Sequence, residues 1–239
     1  MGNSRKNLKF KLAIIVPCYN ESKYIEHFLK EWVSVLSEID YKLILIDDGS
    51  SDDSKEKIDN VSKSNNRIVC IRKNNSGHGL TCRFGYEYAI NLNQFDYIMQ
   101  IDSDGQCDPN YFPNFLKLSS EQDVIFGTRT TRGDGLMRKF TSILCSLLTS
   151  LISRCWIKDA NVPYRLIKSN VLAKALSSVP SDFIIQNVAL TVALKRLPNI
   201  SWGFVPMHFR DRTMGTNSIN LFDVCKLGLK MLSELRKIK

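Results

Sequence analysis

Short apolar runs alternate with amphipathic stretches along the first half of this chain. Leu12-Ala13-Ile14-Ile15-Val16, Leu43-Ile44-Leu45-Ile46, Ile68-Val69-Cys70-Ile71, Tyr97 to Ile101 and Val124-Ile125-Phe126-Gly127 are each bounded by polar residues. Continuous apolar runs of this length suit strands buried on both faces. The intervening segments have a different period. Ile25, Phe28, Leu29, Trp32, Val33, Leu36 and Ile39 recur at helical spacing, and a further helix starts near Asp53 with Ser51 or Asp52 to cap it. Helices are also predicted over Thr81 to Leu92 and Pro109 to Leu118. Later in the chain come a strand Tyr164 to Ile167, helices Asn170 to Leu176 and Ile184 to Lys195, and a strand Ile200 to Phe209.

Strands alternating with helices predict an α/β fold, a mostly parallel sheet with helices on both faces. In such sheets ligands bind beyond the carboxyl ends of the strands. Those ends carry Pro17 to Glu21, Asp47-Asp48, Gly77-His78-Gly79 and Asp102 to Gln106. Four polar loops are therefore expected to converge on one rim.

The loop Asp102-Ser103-Asp104-Gly105-Gln106 carries the strongest chemistry. Residues i and i+2 of an extended segment project to the same side, so the Asp102 and Asp104 carboxylates repel unless a cation lies between them. A hard divalent ion takes oxygen ligands and keeps room for substrate phosphates. Gln106 offers a third oxygen, Gly105 allows a turn, and Pro109 suits the start of a helix. The other reading is a polar strand-to-helix turn with an Asp as N-cap.

Composition narrows the class. The chain has 239 residues, with 33 Lys and Arg against 24 Asp and Glu, a net charge of +9. A basic protein seeks phosphates, anionic lipid or nucleic acid. No basic-aromatic stripe or nucleic-acid motif is present, so nucleic acid is not an expected partner. The first strand leads into Pro-Cys-Tyr-Asn-Glu, not a glycine-rich turn, which argues against a dinucleotide dehydrogenase. Seven cysteines without a C-x-x-C pair read as reduced thiols of a cytoplasmic protein. No leader and no membrane span is expected, since apolar runs stay short.

Two segments change that picture. Leu136 to Ile157 holds Leu136, Phe140, Ile143, Leu144, Leu147, Leu148, Leu151, Ile152 and Trp156, with Arg138, Lys139, Arg154 and Lys158 at its ends. It is either a core or interface helix or a helix lying in a membrane surface. Leu221 to Lys239 is a basic amphipathic helix with Lys226, Lys230, Arg236, Lys237 and Lys239, either a solvated face or a second membrane contact.

Taken in order, Val16-Pro17-Cys18-Tyr19-Asn20-Glu21, Ile46-Asp47-Asp48-Gly49-Ser50, Gly77-His78-Gly79, Asp102-Ser103-Asp104-Gly105-Gln106 and Gly127-Thr128-Arg129 match a known pattern. Asp159 with Arg165, and Phe209-Arg210-Asp211-Arg212 before Gly215, extend it. The chain resembles the inverting family-two glycosyltransferases of GT-A (Rossmann-like) fold. Within them it looks most like the dolichyl-phosphate mannose synthases and polyprenyl-phosphate sugar transferases. The resemblance runs from about Leu12 to Leu229.

That resemblance implies roles. Pro17, Tyr19 and Glu21 would line the nucleoside pocket, and Asp47 and Asp48 would contact base or ribose. Asp102, Asp104 and Gln106 would hold Mg²⁺ or Mn²⁺ on the diphosphate, with Ser103 in the nucleotide site. Arg129, Arg165 and Arg212 would face donor or acceptor phosphates. Asp104, Asp159, Arg129 and Arg165 are thus the catalytic candidates, Asp159 as base if the acceptor is a hydroxyl. The lipid-phosphate synthases usually carry a lysine after the last glycine motif, and Gly215-Thr216-Asn217-Ser218 has none.

The expected protein is a metal-dependent inverting hexosyltransferase that moves sugar from a UDP- or GDP-sugar to a polyprenyl or dolichyl phosphate. The expected place is the cytoplasmic face of a membrane, held peripherally or through a small membrane subunit. The alternative acceptor is a sugar hydroxyl of a surface glycan. The expected organisation is a polar tail (residues 1–10), a GT-A domain (11–220, nucleotide-binding half 11–130 and acceptor half 131–220) and the basic C-terminal helix (221–239).

Overall fold

A computed structural model describes residues 10–130, 147, 150, 161–183 and 185–210. Seven strands form one sheet: β1 (Lys11–Cys18), β2 (Asp40–Asp47), β3 (Ile68–Arg72), β4 (Tyr97–Gln100), β5 (Val124–Arg129), β6 (Arg165–Lys168) and β7 (Trp202–Met207). The spatial order is β3-β2-β1-β4-β6-β5-β7. Neighbours run parallel except for β6, which is antiparallel to both β4 and β5.

The mostly parallel sheet anticipated from the sequence is thus present, with one reversed strand. The reversal follows from where the chain enters. Arg165 pairs with Gln100 at the carboxyl end of β4, and Lys168 with Tyr97 at its start. The chain therefore runs down β6 from the rim.

The helices are α1 (Ile25–Val35), α2 (Ser54–Ser64), α3 (His78–Asn91), α4 (Phe112–Ser119), α5 (Ser169–Ser177) and α6 (Gln186–Arg196). Most boundaries shift by one or two residues from the sequence reading, and two of the differences bear on the site. The stretch from Pro109 opens as a 3-10 turn, Pro109–Tyr111, before α4. Helix α3 starts at His78, three residues early, because Gly77 turns the chain at φ +87 and its carbonyl accepts from the Thr81 N–H at 3.1 Å. That shift carries His78 into the first helical turn.

Strand β1 shows why the sheet is covered on both sides: seven of its eight residues are buried. Successive side chains face opposite layers. Ala13 and Ile15 pack with Ile44, Ile46, Cys82, Leu172 and Val188, under α3, α5 and α6. Leu12, Ile14 and Val16 pack with Phe28, Trp32, Phe112 and Phe115, under α1 and α4. Helix α3 comes closest at Gly85, where an added Cβ would sit 2.3 Å from Ile15 Cγ2. In the second layer the Phe115 and Tyr164 rings stack at 4.5 Å, and Trp32 meets Phe112 edge-on at 6.1 Å.

The chain leaves β1 outwards through β2 and β3, then returns to the other side of β1 as β4. The order reverses between β1 and β4, so the carboxyl ends of these two strands flank a switch-point crevice.

Candidate functional site

Three loops are tied together at this crevice. The loop after β1 is zipped to the loop after β2. The Asn20 N–H donates to Ser50 Oγ at 3.0 Å, Glu21 N–H to Ser54 Oγ at 2.8 Å, and Ser51 N–H to Asn20 Oδ1 at 2.8 Å. Asn20 holds φ +55, a left-handed conformation that asparagine tolerates better than most residues. Tyr19, just before it, is half exposed at the rim. The loop after β4 joins through Ser103, whose hydroxyl donates to the Pro17 carbonyl at 2.9 Å.

Asp47 and Asp48, expected at base or ribose, are both buried. Asp47 Oδ1 accepts from Ser50 N–H at 2.9 Å, and Arg72 Nε lies 3.6 Å from Oδ2. Asp48 holds the next loop. It accepts from the Lys73 ammonium, from Ser76 N–H at 3.0 Å and from Gly77 N–H at 2.9 Å. Burial alone would raise the Asp48 carboxyl, but Lys73 and the Ser76 N–H outweigh it and hold it below its ordinary value. In this geometry both aspartates shape the wall of the crevice.

From Ile101 to Pro109 burial alternates residue by residue. Ile101, Ser103, Gly105, Cys107 and Pro109 are buried; Asp102, Asp104, Gln106 and Asp108 are half-buried. The alternation puts the polar side chains at the accessible positions, as expected for residues two apart. The capping role falls to Asp108, whose Oδ1 accepts from Asn110 N–H at 2.9 Å. Asp102 and Asp104 are therefore not needed as helix caps. Asp104 Oδ1 accepts from Gln106 N–H at 3.1 Å, and Asp102 Oδ1 accepts from the Gln100 amide at 2.9 Å. Gly105 has φ +81 and packs under Tyr24, where a Cβ would lie 2.7 Å from the ring.

Among the described residues no three His, Cys, Asp or Glu side chains gather into a metal cage. Two carboxylates that leave places for phosphate oxygens and water are how Mg²⁺ is commonly held. The hard oxygen donors of Asp102 and Asp104 fit Mg²⁺ or Mn²⁺ on that ground. The Gln106 amide is partly engaged, with Nε2 donating to the Arg210 carbonyl at 3.2 Å.

The arginines separate. Arg129 ends β5 with its guanidinium 4.8 Å over the Phe209 ring, at the rim side of the sheet. Arg165 was expected to face a phosphate, but it has no exposed surface. Its guanidinium lies 4.6 Å over the Phe126 ring and donates to the carbonyls of Val162 and Asn187. An arginine so enclosed braces β6 and α6. Asp159 and Arg212 lie outside the described residues, as do both candidate membrane helices apart from residues 147 and 150, both helical.

Sequence reasoning gave no role to five participants. His78 Nε2 lies 3.6 Å from Asp102 Oδ1 and 3.5 Å from Cys82 Sγ. The Cys82 sulfur first, then the Asp102 and Asp104 carboxylates, favour its protonated form. Lys73 anchors Asp48. Gln100 was passed over inside an apolar run. Arg210 bridges Glu31 and Asp108 at 2.8 Å each, and its N–H donates to the Gln106 carbonyl at 3.3 Å. Tyr24 donates to Glu31 at 2.9 Å, and burial followed by this bond pushes its hydroxyl up to about 12. The signal for Gln100 was available: an amide in a central strand needs partners.

Residues 13–175 match the family described as Glycosyl transferase family 2. An uncharacterized protein of Methanocaldococcus jannaschii is 30% identical over 232 residues, covering 92% of this chain and 99% of that protein. An undecaprenyl-phosphate 4-deoxy-4-formamido-L-arabinose transferase of Sodalis glossinidius is 23% identical, over 91% of this chain and 65% of its own length. The chain thus spans a little under two thirds of that relative. Glucosyl-3-phosphoglycerate synthase from Mycobacterium tuberculosis, solved with Mn²⁺, UDP and phosphoglyceric acid, superposes with a TM-score of 0.68 at 15% identity, over 95% of this chain and 77% of that one. Mannosyl-3-phosphoglycerate synthase from Rubrobacter xylanophilus gives 0.63 at 12%, over 95% and 73%. These structural likenesses show the fold, GT-A. With the matched stretch running from β1 into α5 and holding the acidic loop, the chain belongs to glycosyl transferase family 2.

Proposed function

We propose that this glycosyltransferase moves a hexose from a UDP- or GDP-sugar to a polyprenyl phosphate, with inversion and with Mg²⁺ or Mn²⁺ in the site. The observation that carries the reading is the acidic loop at the β1–β4 switch point. Asp102 and Asp104 stand at half-buried positions there while Asp108 alone does the capping. The polyprenyl acceptor is supported by the names of the undecaprenyl-phosphate transferases among the relatives.

In this reading Pro17, Tyr19 and Glu21 border the nucleoside, with the Asp47-Asp48 wall beside them. Asp102 and Asp104 hold the cation, with Gln106 next to them. When bound, that ion neutralises charge growing on the departing diphosphate. An oxygen of the lipid phosphate attacks C1 of the hexose from the face opposite the diphosphate. The bond from C1 to the diphosphate oxygen breaks, and the nucleoside diphosphate leaves with its electron pair. The attacking phosphate is already anionic, so no strong base is needed. A hydroxyl acceptor would need one, and Asp159 is the proposed base. Arg129 and Arg212 are proposed to receive phosphate oxygens, where a guanidinium forks onto two of them. Arg165 supports the sheet. Residues 136–157 and 221–239 are proposed to lie on the membrane surface, alone or with a small membrane subunit. Among the described residues no helix is long and apolar enough to cross a membrane.

The test is direct. The protein is incubated with radiolabelled UDP- and GDP-hexoses, Mn²⁺ and undecaprenyl phosphate in vesicles. Label is expected to move into the organic phase as an acid-labile lipid and to stay behind when EDTA is added. Label that appears only on added soluble glycans would put the hydroxyl acceptor in place of the lipid.

A further inference from the structure

Gln100 is the last residue of β4, has no exposed surface, and stands in a strand whose other residues are Tyr97, Ile98 and Met99. All of its amide contacts are internal. Nε2 donates to Asp102 Oδ1 at 2.9 Å. Oε1 accepts from Asn187 Nδ2 at 3.3 Å and from the Tyr86 hydroxyl at 3.4 Å. Tyr86 on α3 and Asn187 on α6 are both buried. The main chain of Asn187 is held as well, since its backbone carbonyl accepts from Thr191 Oγ1 at 2.8 Å and from the Arg165 guanidinium at 3.1 Å.

The direction of this chain is set by chemistry. An ionised carboxylate only accepts, so the Gln100 NH₂ has to face Asp102 and its oxygen has to face inward. Inward stand an amide NH₂ and a hydroxyl, both able to donate. Two helices on the covered face of the sheet thereby fix the rotamer of a side chain at the rim. At Asp102 both contacts, the Gln100 amide and the His78 ring at 3.6 Å, fall on Oδ1.

We infer that Gln100, held by Asn187 and Tyr86, is a positioning residue that orients the Asp102 carboxylate so that Oδ2 is the oxygen offered to the divalent cation. The inference rests on the proposed reading of Asp102 as a metal ligand. Groups of this kind behind metal ligands hold ligand orientation, and losing one costs about 10–100-fold in metal affinity.

The experiment measures Mn²⁺ affinity by the loss of the free-ion electron paramagnetic resonance signal, with UDP present, for the full chain and three variants. Gln100→Met keeps length and shape but cannot donate. Its Mn²⁺ Kd is expected to rise by about 10–100-fold. Asn187→Ala leaves Gln100 in place but frees its amide, with a smaller expected rise of up to about 10-fold, the low end for losing such a group. Because Asn187 acts through Gln100, the double variant is expected to bind Mn²⁺ no more weakly than Gln100→Met alone. Melting is followed with and without Mn²⁺ and UDP. A merely structural role lowers both melting temperatures equally, whereas a positioning role shrinks the increment that metal and UDP provide. A folded Gln100→Met with a Mn²⁺ Kd within twofold of wild type overturns the inference, as do additive losses in the double variant. If Gln100→Met does not fold, an unchanged Kd in Asn187→Ala overturns it. Wild type that binds no Mn²⁺ with UDP present overturns the metal reading itself along with the inference, an outcome separate from the others.

Discussion

Arg210 and Glu31 meet through two contacts, Nη1 to Oε1 at 2.8 Å and Nη1 to Oε2 at 3.1 Å, and so join residues 179 positions apart. The pair is about a quarter to a third exposed, and the second guanidinium nitrogen reaches Asp108. The main chain of Arg210 lies against Gln106 in both directions. Arg210 is thus clamped to the acidic loop. Partly exposed pairs contribute little, but a guanidinium shared between carboxylates does better. Arg210→Ala and Glu31→Ala in a double-mutant cycle are expected to couple by about 1 kcal/mol in urea unfolding. Additive losses would mean that the bridge contributes nothing to stability.

Asp104 is the side chain with which the metal proposal stands or falls. Asp104→Asn keeps the size and an oxygen that can accept from Gln106 N–H, so melting is expected to move by no more than a few degrees. It removes one negative ligand from a site meant to balance a diphosphate, and transfer is expected to drop by at least ~10²-fold. The assay is run at limiting Mn²⁺, so that excess metal cannot mask weak binding. Near-normal turnover there would rule Asp104 out as a ligand.

Acid stability has a named source away from the rim. Asp123 accepts from Lys168 Nζ at 2.8 Å and from Ser201 N–H at 2.9 Å, and these hold its carboxyl at about 2. The folded value lies below the unfolded one, so the stabilisation is complete above about pH 4 and is lost as pH falls towards 2. Discounted for the partly exposed Lys168, the contribution is about 1–2 kcal/mol. Asp123→Asn is expected to lower stability at pH 7 and to flatten the acid limb of the stability curve between pH 4 and 2. An unchanged acid limb would place the sensitivity elsewhere.

Tyr164 is fully buried against Phe115 and Trp32, and its hydroxyl has no hydrogen-bond partner among the described residues. A buried polar group without a partner costs about 1–3 kcal/mol. Tyr164→Phe keeps the ring stack and removes that group, so it is expected to raise stability by about 1 kcal/mol. A loss of stability would reveal a partner for the hydroxyl.

Much of the frame was legible because it depends on local pattern. The runs at Leu12 and Leu43 are apolar at every position and the run at Tyr97 is broken only by Gln100, a pattern that suits strands covered on both sides, and each became an interior strand of the sheet. The acidic loop stood out because two carboxylates two residues apart follow a buried strand, although a polar turn with an Asp cap reads the same way locally. What escaped depends on contacts distant in sequence. The reversed direction of β6 follows from where the chain re-enters the sheet, which no local period encodes. Arg165 carries the same charge whether it meets a phosphate or a carbonyl, and only packing under Phe126 decides. Gln100 and Asn187 lie 87 positions apart, and their amides are paired by the sheet and not by any motif.

The acceptor proposal has a physical consequence at the membrane. Residues 226–239 include Lys226, Lys230, Arg236, Lys237 and Lys239, and residues 136–157 carry a broad apolar set between basic ends. Each basic residue near an anionic leaflet contributes about 1 kcal/mol, and salt screens it within roughly 10 Å at 0.1 M. Apolar insertion adds a part that salt does not remove. The protein is therefore expected to sediment with anionic liposomes and to be released only in part by high salt. Replacing Lys230, Arg236 and Lys237 together by Gln is expected to weaken the salt-sensitive part by about 2–3 kcal/mol, an equilibrium change of ~30–150-fold, while UDP or GDP binding persists. Wild type that stays in the supernatant at low salt would remove direct membrane attachment. Co-purification of a small membrane protein from the native host would then preserve the lipid acceptor, and its absence would turn the proposal towards a soluble glycan.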